Sequence, residues 1–205
     1  MNETLVALEQ AIALCRMCVD TPDKAPLPHE PRPVLHLSGT AKICIAGQAP
    51  GRRVHLSGLP FDDPSGDRLR DWMGIGRDIF YDKTRIAIVP MGFCFPGNDD
   101  KGGDLPPRKE CLRHWHDRIF AAMPQLELIL VIGQYAQKYH LGKLRQSTLT
   151  QTVSNAESIY KASSCPRYFP LPHPSWRNTA WMKTNPWFAE KILPLLRQEV
   201  ARKLD

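Results

Sequence analysis

Three short apolar runs, AKICIAG (41–47), RIAIVPM (85–91) and ELILVIG (127–133), limit what this chain can fold into. Each is apolar at consecutive positions, as a strand buried on both faces must be, and lies between turn-forming residues. A fourth segment, RYFPLP (167–172), has the same character but carries prolines. Helix-compatible stretches lie between them, including Asp67 to Trp72 and Glu110 to Met123. Strand and helix alternating in this way specify an α/β architecture around a parallel sheet. Ligands of such sheets bind beyond the carboxyl ends of the strands. Those ends read GQAPG, PMGFCFPG, GQYAQ and LPHPS.

Flanking segments complete the outline. Leu5, Leu8 and Ile12 share a helical face within residues 2–14, with Asn2 as its expected cap. The stretch from Pro22 to Pro33 is too rich in proline for a helix or central strand and reads as an extended strap. A last helix is expected over Trp187 to Leu204, kinked at Pro194. The 205 residues suit a single domain, 1–205, that buries its own core. No apolar run is long enough to cross a membrane and the N-terminus lacks a secretion-signal pattern, so a cytoplasmic protein is expected. A net charge of +6 and a pI near 9.1 point to a polyanionic partner, nucleic acid first.

In a reducing compartment six cysteines are thiols or metal ligands, not disulfides. Cys15 and Cys18 form a C-x2-C pair, and Cys94 and Cys111 flank sixteen turn-rich residues. These four can bind a metal centre or simply pack, and His114 and His116 offer a competing zinc set. Cys44 and Cys165 read as small buried hydrophobes.

The stretch GQAPGRRVHLSGLPFDDPSGDRL (47–69) brings a tight turn that lets backbone amides approach a ligand. Asp63, just before Pro64, is either a helix cap or a carboxylate facing the strand-end cleft. In LPHPSWRN two prolines hold His173 at a strand end, and an aromatic and a guanidinium, Trp176 and Arg177, follow.

Taken together, these stretches resemble the uracil-DNA glycosylase superfamily. GQAPG…SGLPFDDPSGDRL is similar to its first motif and LPHPSWRN to its second, and the cysteine spacing resembles its fourth, iron–sulfur family. The resemblance implies a three-layer sandwich with a central four-stranded parallel sheet, and a flipped base entering at the strand ends. It implies stacking of the base on Phe61, contact with the backbone of Gln48 and Ala49, and stabilisation of the leaving base by His173. Arg52, Arg53, Ser175, Trp176 and Arg177 would meet DNA. Cys15, Cys18, Cys94 and Cys111 would hold a [4Fe-4S] cluster, with structural zinc as the alternative.

Departures from the pattern shape the expected chemistry. Positions where other families place the water-activating acid are Gln48 and Ala49, which cannot ionise, while PSGD is similar to a segment of the fifth family that places its catalytic aspartate at Asp63. Pro90 stands where families that read uracil through an asparagine have that residue. The expected activity is monofunctional base excision from DNA by a monomer, on uracil or on hypoxanthine or xanthine. A non-catalytic module that binds damaged DNA is the alternative, and chemistry on free nucleosides or RNA a third reading.

Overall fold

A computed structural model describes residues 4–205. Its centre is a four-stranded, all-parallel sheet in the order β2-β1-β3-β4. The strands are β1 (Ile43–Ala46), β2 (Ile86–Ile88), β3 (Leu128–Ile132) and β4 (Arg167–Leu171). All four fall inside the four apolar segments. Register places Ile45 beside Ile88 and Leu130, and Val131 beside Pro170. Pro170 is tolerated because β4 is an edge strand, where a missing N–H leaves no second ladder unpaired.

Successive strand residues point to opposite faces, and this sorts each apolar run into two cores. Ile43, Ile45, Ile86, Ile88, Leu128, Leu130 and Ile132 join Trp72, Phe188 and Leu196 on one face. Cys44, Ala46, Ala87, Ile129 and Val131 meet Leu8, Ile12, Trp115 and Met123 on the other. Helices thus cover both sides, and the sandwich has three layers. Among the described residues no helix is long and apolar enough to cross a membrane.

The first helix runs Leu5–Ala13 and is capped by the Thr4 side chain, which accepts from the Ala7 N–H at 3.2 Å. The expected cap, Asn2, lies outside the described residues. Beyond the proline-rich strap, Val34 N–H donates to Phe93 O, and His36 and Ile88 exchange two backbone hydrogen bonds of 2.8 Å. The chain thereby covers the open edge of β2, which would otherwise present unpaired backbone.

The structure corrects two expectations and adds one element. Cys165 is exposed, not buried, because it stands in the turn before β4 rather than in the strand. The loop after GQAPG contains a short helix, Arg52–Ser57, ended by Gly58 in the left-handed conformation. Pro194 lies in the first turn of the Leu193–Leu204 helix, which directly follows a π turn, Phe188–Ile192. The wider turn accommodates a ring that has no N–H to donate, so the irregularity precedes the proline.

Candidate active site

The carboxyl ends of β1, β2 and β4 open onto a cleft of about 70 Å³, lined among others by Gln48, Ala49, Phe61, Asp63, Pro90, Asp104 and His173. Its apolar wall includes Val34, Ile88 and Pro90. The turn GQAPG forms one rim, held in place by Met91 and Gly92, whose N–H groups donate to the carbonyls of Gly47 and Gln48 at 3.0 Å.

Phe61 is the non-glycine residue with positive φ among the described residues, at 55°. Backbone strain of this kind persists only where surroundings fix it. Here the ring meets Phe80 edge-on at 6.0 Å, and its tip lies 3.2 Å from where a Cβ on Gly47 would stand. Two positions with no side chain therefore let Phe61 reach the cleft: Gly47 under its ring and Gly66 against its carbonyl.

Asp63 caps the Pro64–Met73 helix and also borders the cleft. Its Oδ1 accepts from Ser65 N–H (2.9 Å), Ser65 O–H (2.5 Å) and Gly66 N–H (3.0 Å). The two readings of this residue are compatible: capping through one oxygen fixes the carboxylate at the site. Its neighbour Asp62 instead pairs with Arg77 at 3.0 Å, and that hydrogen bond holds its carboxyl below the usual carboxylate range.

His173 follows β4 on a loop stitched down from two directions. Asn178 Nδ2 donates to His173 O at 2.7 Å, and Arg68 donates to the carbonyls of Pro174 (3.3 Å) and Ser175 (2.9 Å). His173 Nδ1 accepts from Ser175 N–H at 3.3 Å, which leaves Nε2 to carry the proton and donate. Burial lowers the pKa of the imidazole, opposed by the negative charges of Asp63 and then Asp104. Desolvation prevails, so the ring is a neutral donor at physiological pH.

Trp176 and Arg177 lie in the short 3-10 turn Trp176–Asn178 beyond His173. Trp176 is 74% exposed, with Arg177 5.7 Å from its ring centre. Arg52 and Arg53 are exposed at the start of the Arg52–Ser57 helix, just beyond the GQAPG rim. The expected base-contacting and catalytic residues thus border one cleft, with the expected DNA-contacting residues at the start of a short helix and in and just before a 3-10 turn that follow the cleft-lining segments. Arg68 and Asp104 were not apparent from the sequence, because each acts across a contact between segments distant along the chain, and the role of Asn178 depends on how the turn after His173 folds back.

A family model of the uracil DNA glycosylase superfamily matches residues 36–197. The chain belongs to that superfamily. Its members are DNA glycosylases, and the matched region contains the whole sheet, both motif stretches and every cleft residue named above except Val34. The first helix and the C-x2-C pair lie before it.

The four cysteines of the expected metal centre occupy one neighbourhood. Cys18 packs with Leu27 and Cys94. A thiol–thiol hydrogen bond to Cys111 brings Cys18 down to about 7, and the same contact raises Cys111. Burial pushes Cys94 up to about 12, and charge on Cys18 or Cys15 would raise it further. Cys111 Sγ also accepts from Phe93 N–H at 3.5 Å, the type of contact that tunes a metal-bound thiolate. Among the described residues no group of three or more His, Cys, Asp or Glu side chains is drawn together around a single ion. His116 is fully buried, stacked on Phe93 at 5.5 Å, and His114 lies edge-on to Trp115.

Proposed function

We propose that the protein hydrolyses the N-glycosidic bond of a deaminated base flipped out of DNA, uracil first, with hypoxanthine and xanthine as further substrates. The observation that carries this reading is the joint presence of His173, Asp63 and the strained Phe61 on one strand-end cleft. Phe61 would stack on the extruded base while the Gln48 and Ala49 amides meet its carbonyl edge. The bond from C1′ to the base nitrogen breaks, and its electron pair leaves with the base. Neutral His173 donates from Nε2 to the oxygen where that charge collects, an interaction worth about 3–4 kcal/mol in comparable oxyanion sites. Water adds to C1′, oriented by Asp63, which takes its proton. The products are the free base and an abasic sugar.

Outside the cleft, Trp176 and Arg177 would enter the duplex at the vacated position while Arg52 and Arg53 meet phosphate. Cys15, Cys18, Cys94 and Cys111 would hold a [4Fe-4S] cluster. Its support is the shared neighbourhood of the thiols and their spacing, since cluster thiolates bind separate irons and need not converge on one point. The cluster would cross-link the strap to the Cys94–Cys111 loop, and no step of hydrolysis passes through it.

One observation favours a second reading, a module that binds damaged bases without cutting. Asp63 Oδ1 is committed to three donors of its own helix. Incubation with duplexes carrying uracil, hypoxanthine or xanthine, followed by alkaline cleavage, separates the two. Strand breaks at the altered base are expected. Tight binding to such duplexes with no break at any of them would establish the binder.

A further inference from the structure

The cleft contains a second carboxylate that neither motif supplies. Asp104 stands in the turn-rich segment between Cys94 and Cys111, and it lines the same cleft as Asp63, Phe61 and His173. It is close enough that its charge, with that of Asp63, opposes the lowering of the His173 pKa.

Its presentation is structured. Asn98 and Asp104 pair as an antiparallel bridge, and Leu105 N–H donates to Gly97 O at 2.9 Å. Inside this hairpin, Asp99 Oδ1 accepts from the N–H groups of Lys101 (3.0 Å) and Gly103 (2.7 Å). Asn98 Nδ2 donates to Asp104 Oδ1 at 3.1 Å, which orients the carboxylate. The other oxygen, Oδ2, lies over the GQAPG turn, 3.6 Å from where a Cβ on Gly51 would stand. Asp104 is exposed. A solvated carboxylate contributes little through Coulomb attraction, but covering by DNA would lower the local dielectric and strengthen it severalfold.

We infer that Asp104 is a second catalytic carboxylate, which balances positive charge on the sugar while Asp63 handles the water. This assignment rests on the glycosylase reading above. The division of labour follows from the environments. Asp63 is pinned through one oxygen at a helix start, which suits orientation of a single water. Asp104 needs no proton transfer: as the bond to the base breaks, the sugar gains positive charge, and the carboxylate opposes it electrostatically without forming a bond.

The test uses the full-length protein and two duplexes, one with a cationic pyrrolidine in place of the sugar at the abasic position and one with the neutral tetrahydrofuran analogue. Wild-type protein is expected to bind the cationic duplex about 10-fold more tightly or better, ~1.4 kcal/mol. Asp104→Asn keeps the shape and the Asn98 contact, so it should bind the neutral duplex as wild type does and lose most of the cationic preference. Single-turnover base release should fall in the same variant by about 100-fold. An Asp104→Asn protein that keeps the cationic preference, or a wild type that has none, overturns the assignment. A wild type that shows the preference but releases no base leaves Asp104 in its electrostatic role and removes the glycosylase reading.

Discussion

The carbonyl oxygen of Phe61 lies 1.8 Å from the point where a Cβ on Gly66 would stand. No side chain fits there, so the strained backbone of Phe61 and the first turn of the Pro64–Met73 helix depend on this glycine. Gly66→Ala is expected to displace Phe61, destabilise the fold by about 1–3 kcal/mol and slow base release beyond what the stability loss explains. Gly39→Ala, whose Cβ would meet only Leu5 at 4.0 Å, is the control and should be silent in both measurements. Thermal unfolding beside single-turnover kinetics reads the two effects. A fully active Gly66→Ala would show that the position of Phe61 does not matter.

Trp176 is the most exposed aromatic at the site, 74% accessible, and nothing in the fold requires it there. Trp176→Ala should leave stability within about 0.5 kcal/mol and weaken binding to damaged duplex about 10-fold, ~1.4 kcal/mol. The remaining affinity should still fall steeply with salt, because arginine contacts to phosphate release counterions. Titrations at several salt concentrations check both points. A flat salt dependence would contradict DNA as the partner.

The cysteine neighbourhood makes its own prediction. Anaerobically purified protein should contain about four irons and four sulfides per chain with a visible absorption band. Cys18→Ser and Cys111→Ser should each lose the band and loosen the strap and the loop together, seen as faster amide exchange in both. Stoichiometric zinc without the band would replace the cluster by zinc. No metal at all would leave the thiols as packing.

Much of this was legible in the sequence, for definite reasons. The four strands were legible because a parallel strand is buried on both faces, and ELILVIG has no other stable use. The places of Asp63 and His173 at the strand-end cleft were legible because proline fixes the backbone beside each. Asp104 was not, since seven residues of polar hairpin around it resemble any surface turn until the fold sets them against GQAPG. Arg68 was hidden likewise: it works through the carbonyls of Pro174 and Ser175, more than a hundred positions away. Periodicity could not place the exposed Cys165 or the π turn before Pro194, because both depend on how segments dock.

Three desolvated, neutral histidines are expected to set the acid limit of the fold. Burial pushes His36 and His116 down to about 4, and His140 to about 3, from an ordinary value of 6.5. The unfolded chain therefore takes up protons first as pH falls. Their contribution is fully present above pH 6.5 and is lost progressively towards pH 4, about 3 kcal/mol for each of His36 and His116. Denaturant midpoints should be level from pH 8 to about 7 and fall steeply below about 6.5. Loss confined to the region below pH 4 would assign acid sensitivity to the carboxylates that pairing holds low, such as Asp23 and Glu127.

The central claim is that Asp63 performs chemistry in addition to capping its helix. Asparagine caps as well as aspartate but cannot accept a proton from water. Single-turnover base release by Asp63→Asn, beside Asp62→Asn and wild type, is the most direct measurement. The account predicts a loss of about 100-fold or more for Asp63→Asn, with thermal stability and DNA affinity nearly intact and Asp62→Asn close to wild type. Full activity in Asp63→Asn, or a larger loss in Asp62→Asn, would contradict it.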